Sequence, residues 1–182
     1  MAILPIYETP DPVLRQISKP VDKVTDAHRK LIEDMFETMY DAPGIGLAAV
    51  QVGEPIRLLV MDLQEHEDPD DPESPVVKDP RVFINPEIVE FSDHEVPYTE
   101  GCLSVPDQYA DVMRPDRIKV RWLDENGDSH EEVLTGLLAV CLQHEMDHLE
   151  GILFIDHLSK LKKDMILKKL AKTRKMRGSR AA

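Results

Sequence analysis

The sequence predicts an α+β fold: mixed and antiparallel strands packed around a central helix that carries a His-Glu-x-x-His motif, followed by a C-terminal helix. Three observations lead there. Apolar residues recur at helical spacing near residue 30 and again from Thr135 onward. Between them lie short apolar or alternating runs, and one of these ends at Asn126-Gly127, a strong hairpin signal. The resulting order is helix, strands, hairpin, helix, helix.

Taken in order, Thr25 or Asp26 caps a first helix that places Leu31, Ile32, Met35 and Met39 on one face and stops near Pro43-Gly44. IRLLVMDL from Ile56 reads as a buried strand. QEHEDPDDPESPVVKDP, from Gln64 to Pro80, reads as a solvated acidic excursion between strands. Further strands are expected around Val82 to Phe91 and Ile118 to Leu123, the latter returning through Asn126-Gly127 toward Val133. A helix from Thr135 carries Leu138, Leu142 and Met146 and ends at Gly151. A last amphipathic helix is expected from near Asp156, with Leu158, Leu161 and Met165 in line and Leu167 and Leu170 behind.

With 182 residues, 42% of them hydrophobic, the chain suits one catalytic domain over 1–182, including a basic helix and tail from about residue 159. No window approaches 18 uninterrupted apolar residues, which excludes a membrane-spanning helix. The N-terminus lacks the basic and apolar regions of a secretory signal, so the expected compartment is the cytoplasm. Cys102 and Cys141 are the two cysteines and read as thiols. The net charge of −13 argues against DNA as a partner, yet it is unevenly placed: residues 1–158 hold 12 basic and 34 acidic groups, residues 159–182 hold 10 basic and 1 acidic.

His144-Glu145-Met146-Asp147-His148 sets two imidazoles about one helical turn apart, where both can reach one cation and the glutamate between them can reach a water. The same spacing fits a helix whose surface histidines pair with Glu145, Asp147 or Glu150. A catalytic site needs a third protein ligand and an open position. Cys141 is a poor third ligand: a cation shared by the histidines sits near the height of Met146, about 7.5 Å along the axis at about 1.5 Å per residue. It reads instead as a small apolar residue lining a pocket. The metzincin pattern fails at Phe154, which stands where its third histidine should be. Asp156, Glu150 and His130 stay open as ligands, although each also reads as a solvated polar residue. Cys102, in Glu100-Gly101-Cys102-Leu103-Ser104, would complete a Cys-His-His set as a thiolate; taken alone it reads more readily as a buried free cysteine.

Gly44-Ile45-Gly46-Leu47-Ala48-Ala49-Val50-Gln51 formally fits a dinucleotide fingerprint, but the preceding segment is helical, and Gly53 and Pro55 leave no room for the helix that should follow. The glycines suit close approach of backbone to a ligand, with the Gln51 amide as a donor. Backbone near Gly46 can pair with such a ligand.

GIGLAAVQ, EGCLS and QHEMDH, in this order, resemble the peptide deformylases, metallohydrolases that remove formyl from the N-terminal formylmethionine of nascent polypeptides. Pro10-Asp11-Pro12-Val13-Leu14-Arg15 and Phe83-Ile84-Asn85-Pro86 extend the resemblance through about Leu158. It implies that Cys102, His144 and His148 hold the metal, that Glu145 is the acid/base, and that Gln51 and the Leu103 N–H bind the developing oxyanion. It implies a methionine pocket at Ile45, Tyr98, Leu137, Val140 and Cys141, and an ion pair of Glu100 with Arg114 near the site. It also implies Fe2+ as the usual metal with Ni2+ or Zn2+ able to replace it; ligand type alone allows zinc equally well. Two neutral imidazoles and one thiolate leave a divalent metal about one positive charge, enough to lower the pKa of bound water toward neutrality.

One position departs from the family pattern: Tyr109 stands where well-known members carry an arginine facing the substrate chain. The basic residues from Lys160 to Arg177 suit docking on ribosomal RNA, a role the family's C-terminal helix suggests, and equally suit a solvated, frayed end. The competing readings are a zinc endopeptidase that uses His144, Glu145 and His148 without Cys102, and a ribosome-binding protein whose metal is structural.

Overall fold

The apolar run after Ile56 has no polar face because both of its faces are covered. In the computed structural model, which describes residues 2–181 and side chains through 177, the elements are α1 (Asp26–Asp41), β1 (Gly46–Ala48), β2 (Leu58–Met61), β3 (Arg81–Phe91), β4 (Glu95–Cys102), β5 (Val105–Pro115), β6 (Arg117–Leu123), β7 (Ser129–Thr135), α2 (Gly136–Leu149) and α3 (Lys160–Ala181). Five strands form one sheet in the order β1-β2-β3-β6-β7, and β4 and β5 form a separate hairpin. All ladders between these strands are antiparallel; the parallel component is a single bridge between Lys19 and Ile56.

Side chains alternate across a strand, so Leu59 and Met61 of β2 join the cluster under α2, with Phe83, Val120, Trp122 and Leu142, while Leu58 and Val60 join Met35 and Met39 of α1 on the opposite face. That double coverage is why β2 reads as a continuous apolar run. Helix α2 is buried nearly all round, its polar Gln143, His144, Glu145 and His148 included. A helix with that burial lies at the centre of a fold, and its polar groups need built partners.

Two parts of the fold depart from the sequence expectation. The β4–β5 hairpin has no counterpart there. Its strands are half exposed and interrupted by Pro97 and Pro106, so the apolar alternation that betrays a strand is weak. The last helix begins at Lys160 rather than near Asp156, because Phe154–His157 forms a separate 3₁₀ turn. Its buried face is Ile166 and Leu170, with Leu158 and Leu167 alongside, whereas Leu161 and Met165 point to solvent. The segment 64–80 is largely exposed, as expected.

Asp156 is not a solvated residue either. It accepts from Arg15 Nη1 at 2.5 Å, Lys163 Nζ at 2.6 Å and the Leu153 N–H at 2.9 Å, and Arg15 also donates to the Gly151 carbonyl. The cluster fastens the N-terminal segment and α3 to the turn after α2. Gly151 in that turn has φ of +72°, and a Cβ there would lie 2.6 Å from the Arg15 carbonyl oxygen, so only glycine lets the two backbones meet.

Burial opposes ionisation of Asp156, but its donors Arg15, Lys163 and the Leu153 N–H win and hold the carboxyl well below the usual carboxylate range. A depressed carboxylate stabilises the fold above its unfolded pKa of about 4 and loses that contribution as pH falls. Asp156→Asn is therefore expected to cost about 1–2 kcal/mol in urea unfolding at neutral pH, with the gap to wild type narrowing progressively below about pH 4.

Candidate metal centre

Two elements distant in sequence build the site. The end of β4 presents Cys102, and Leu103-Ser104 then forms the two-residue connection to β5, with Cys102 paired opposite Val105. The buried face of α2 presents His144 and His148. One donor atom from each of Cys102, His144 and His148 lies within 4.8 Å of the others, and Cys102 Sγ is 3.4 Å from His148 Nε2. Among the described residues this is the one such grouping of three.

The orientation of His144 is set from behind. Its Nδ1 donates to Glu100 Oε1 at 2.8 Å, which leaves Nε2 toward the sulfur. Glu100 in turn accepts from Arg114 Nε at 2.5 Å and Nη2 at 2.9 Å, and Arg114 Nη1 reaches Asp147 at 2.9 Å. Asp147 also meets His157 Nε2 at 2.8 Å. Burial opposes the charge on Glu100, but the hydrogen bonds from Arg114 and His144 outweigh it and keep the carboxyl ionised below its ordinary value. His148 is fully buried; burial first, then the charges of His144 and Arg114, push its pKa well down, so its ring is neutral.

A thiol and two imidazoles brought together away from bulk water fit a divalent ion of borderline softness. His148 Nδ1 has no partner, so nothing but the sulfur side of that ring engages a polar group. Cys102 and His144 also line a cavity of about 590 Å³, which gives a fourth position access to a small reactant.

Glu145 borders the same cavity, with Oε1 3.9 Å from His144 Nε2 and Oε2 buried without a partner. Burial pushes its pKa up to about 7, against the attraction of His144. A Cβ at Gly46 would lie 2.7 Å from Glu145 Oε1 and 2.9 Å from its Cγ, so the glycine of β1 makes room for this carboxyl. Gln51, 1% exposed, is fixed at both ends: Oε1 accepts from the Ala48 N–H at 2.9 Å, and Nε2 donates to Ser104 Oγ at 3.0 Å and faces Cys102 Sγ at 3.6 Å.

All six expected substrate contacts, Ile45, Gly46, Tyr98, Leu137, Val140 and Cys141, line the cavity together with Leu103. Burial holds the Cys141 thiol well above its ordinary pKa, a neutral wall group rather than a ligand. Tyr109 lies at the cavity too, its ring so close over Gly101 that a Cβ there would be 2.5 Å from Cε1. Sequence reasoning missed Ser104, which holds Gln51, and Asp147, which braces Arg114; both stand inside the motifs EGCLS and QHEMDH and were there to be asked about. Glu150 and His130 lie outside the grouping: Glu150 pairs with Arg57, and His130 with Asp124 on the β6–β7 hairpin.

The family model described as polypeptide deformylase matches residues 3–164. The chain belongs to the peptide deformylase family. A peptide deformylase from Rhizorhabdus wittichii is 65% identical over 97% of this chain and 98% of its own length, and one from Zymomonas mobilis is 59% identical over 97% and 98%. Among solved structures, peptide deformylase from Ehrlichia chaffeensis superposes with a TM-score of 0.86 at 45% identity, covering 95% of this chain and 97% of that one; a second structure of the Ehrlichia deformylase is a complex with actinonin. The deformylase match therefore spans both elements of the site, hairpin and helix.

If Glu100 orients His144, Glu100→Gln weakens metal affinity about 10- to 100-fold in a chelator competition. Gly46→Ala displaces Glu145 and is expected to lower kcat at least about tenfold while bound metal stays stoichiometric.

Proposed function

We infer that this chain hydrolyses the formyl group from the N-terminal formylmethionine of nascent polypeptides, with Cys102, His144 and His148 as metal ligands. The observation that carries the inference is the juxtaposition of those three donors with the unpartnered Glu145 carboxyl on one cavity. A divalent cation in this donor set supplies the Lewis acidity that makes water nucleophilic near neutral pH and polarises the formyl carbonyl. Fe2+ is the proposed metal, and the same thiolate and imidazoles suit Ni2+ or Zn2+.

Glu145 takes the proton from the attacking water and delivers it to the departing amine nitrogen as the carbon–nitrogen bond breaks, leaving formate and a free α-amine. Gln51, already held by Ala48 and Ser104, turns the amide N–H that faces Cys102 Sγ toward the oxygen that gains charge, and the Leu103 N–H is the second donor. Because both partners of Gln51 are fixed, little reorganisation accompanies the charge build-up. Ile45, Leu137, Val140 and Cys141 form apolar walls for the methionine side chain, Tyr98 borders them, and β1 backbone at Gly46 pairs with the peptide without reading its sequence. The whole chain acts as one catalytic unit in the cytoplasm on this reading; among the described residues no helix is long and apolar enough to cross a membrane.

An endopeptidase using only the two histidines would not need Cys102, whose Sγ nevertheless points at His148 Nε2. Docking on the ribosome through α3 is supported by its exposed Lys168, Lys169 and Lys172, with Leu161 and Met165 also open to solvent.

Stoichiometric formate release from a formyl-Met peptide, lost in Cys102→Ala together with the metal, is the expected result; full metal affinity in that variant would favour the endopeptidase. Glu145→Gln is expected to lower kcat about 10²- to 10⁴-fold, and Gln51→Ala about 10²-fold. Replacing Lys168, Lys169 and Lys172 by Glu is expected to abolish salt-sensitive co-sedimentation with ribosomes, and unchanged co-sedimentation would remove α3 from that role.

A further inference from the structure

The mechanism makes no use of Asp62, yet its carboxylate is 1% exposed and fully engaged. Oδ2 accepts from Tyr40 Oη at 2.5 Å, and Oδ1 accepts the N–H groups of Gln64 and Asp79, both at 3.1 Å. Gln64 and Asp79 lie near the two ends of the exposed acidic segment, so one buried carboxylate ties both of them to the end of α1. The Lys78 ammonium sits 4.4 Å from the centre of the Tyr40 ring and closes the knot from outside.

From this knot two hydrogen bonds run to the cavity wall. The Asp62 N–H donates to the Ile45 carbonyl at 2.9 Å, and Gln64 Nε2 donates to the Gly44 carbonyl at 3.0 Å. The Gly44 N–H is taken by the Met39 carbonyl at 2.7 Å, and Gly46 pairs with Met61 in the sheet. Consecutive peptide groups of the wall are thus held from its outer side. Gln64 has φ of +52°, a left-handed conformation that is costly for a residue with a side chain and persists only where neighbours impose it. Asp62, Gln64 and Asp79 also border a second cavity of about 280 Å³, and the hydrogen bonds of Gln64 to Asp62 and Gly44 hold this side of the wall.

We propose that Asp62, Tyr40 and Gln64 are positioning residues that set the Gly44–Ile45–Gly46 wall and thereby the affinity and selectivity for the first side chain of the substrate. The proposal rests on the deformylase reading and gives the otherwise featureless acidic segment a task, since its two ends complete the knot. None of the three touches the reacting atoms. Their loss moves Gly44 and Ile45, against which the methionine side chain is placed, whereas Gly46 stays in register opposite Met61, so Glu145, Gln51 and the three metal-ligating side chains keep their places.

The test is steady-state kinetics of wild type, Gln64→Ala and Tyr40→Phe on two peptides that differ only in formyl-Met or formyl-Ala at the first position. Gln64 is only partly buried, so its truncation spares the core, and melting temperature and metal content verify that. Losing one wall hydrogen bond is expected to raise KM for the formyl-Met peptide about fivefold, leave kcat within about twofold, and reduce the preference for formyl-Met about threefold. Hydrogen exchange at the Gly44 and Asp62 amides, bonded to the Met39 and Ile45 carbonyls, is expected to quicken in Gln64→Ala, and Gln64→Glu, which replaces the donor by an acceptor, is expected not to restore KM. Unchanged KM and selectivity in a stably folded Gln64→Ala, or a loss confined to kcat, overturns the proposal. A wild-type protein that releases no formate refutes the deformylase reading instead; calorimetric binding of the formyl-Met peptide, weakened about fivefold by Gln64→Ala or not, then decides the positioning role by itself.

Discussion

The buried ion pair between Arg114 and Glu100 is the constraint on which the metal centre depends. It bridges β5 to β4 within the hairpin, and through the Glu100–His144 bond and the Arg114–Asp147 bond it locks that hairpin to α2. A pair taken this far from water adds little net stability, since desolvation offsets most of the attraction. What it supplies is placement. With Glu100 ionised and fixed, His144 has one tautomer and one ring orientation, and a sulfur from one element can meet a nitrogen from another within 4.8 Å. Breaking the pair would leave an isolated charge in the interior, so removing either partner alone costs more than the pair itself contributes.

Cys102 and Cys141 show how position separates two chemically identical groups. Both lie on the same cavity, but only Cys102 stands beside the imidazoles, because it arrives on the hairpin rather than on the helix that carries them. Cys141, one turn before His144 on α2, is walled off as a neutral thiol by its own burial. Helical rise alone excludes Cys141, and that much is accessible without any structure. Spacing does not choose Cys102 over Asp156, Glu150 or His130; the resemblance of EGCLS does, and the structure gives the physical reason, since β4 ends against α2.

Much of the fold was legible in the amino-acid pattern wherever an element has one clear periodicity. Leu58–Met61 announces itself by having no polar position, and Asn126-Gly127 announces its hairpin by turn chemistry. The β4–β5 hairpin stayed hidden because its exposed faces and prolines erase the alternation, although it contributes a proposed metal ligand. The face of α3 was misjudged because Leu161, Met165, Ile166 and Leu170 permit two apolar stripes, and only the docking of Ile166 and Leu170 against Leu153 and Phe154 selects one. Site residues inside contiguous motifs were legible; the Asp62–Tyr40–Gln64 knot was not, because its members are bonded across the fold and follow no local pattern.

The segregation of charge gives the molecule a property beyond any single contact. An acidic body and 10 basic groups among the chain's last 24 residues give the molecule a large permanent electric dipole. Near a polyanion such a dipole feels a torque, so the molecule turns its helical pole forward before any surface touches. Arg177, near that pole, lies 3.6 Å from Asp107 on the rim of the cavity, so the same rotation would bring the entrance round with the helix. The effect reaches about 10 Å at ordinary ionic strength and fades as salt is added, which makes orientation, not only attachment, a quantity the solvent controls.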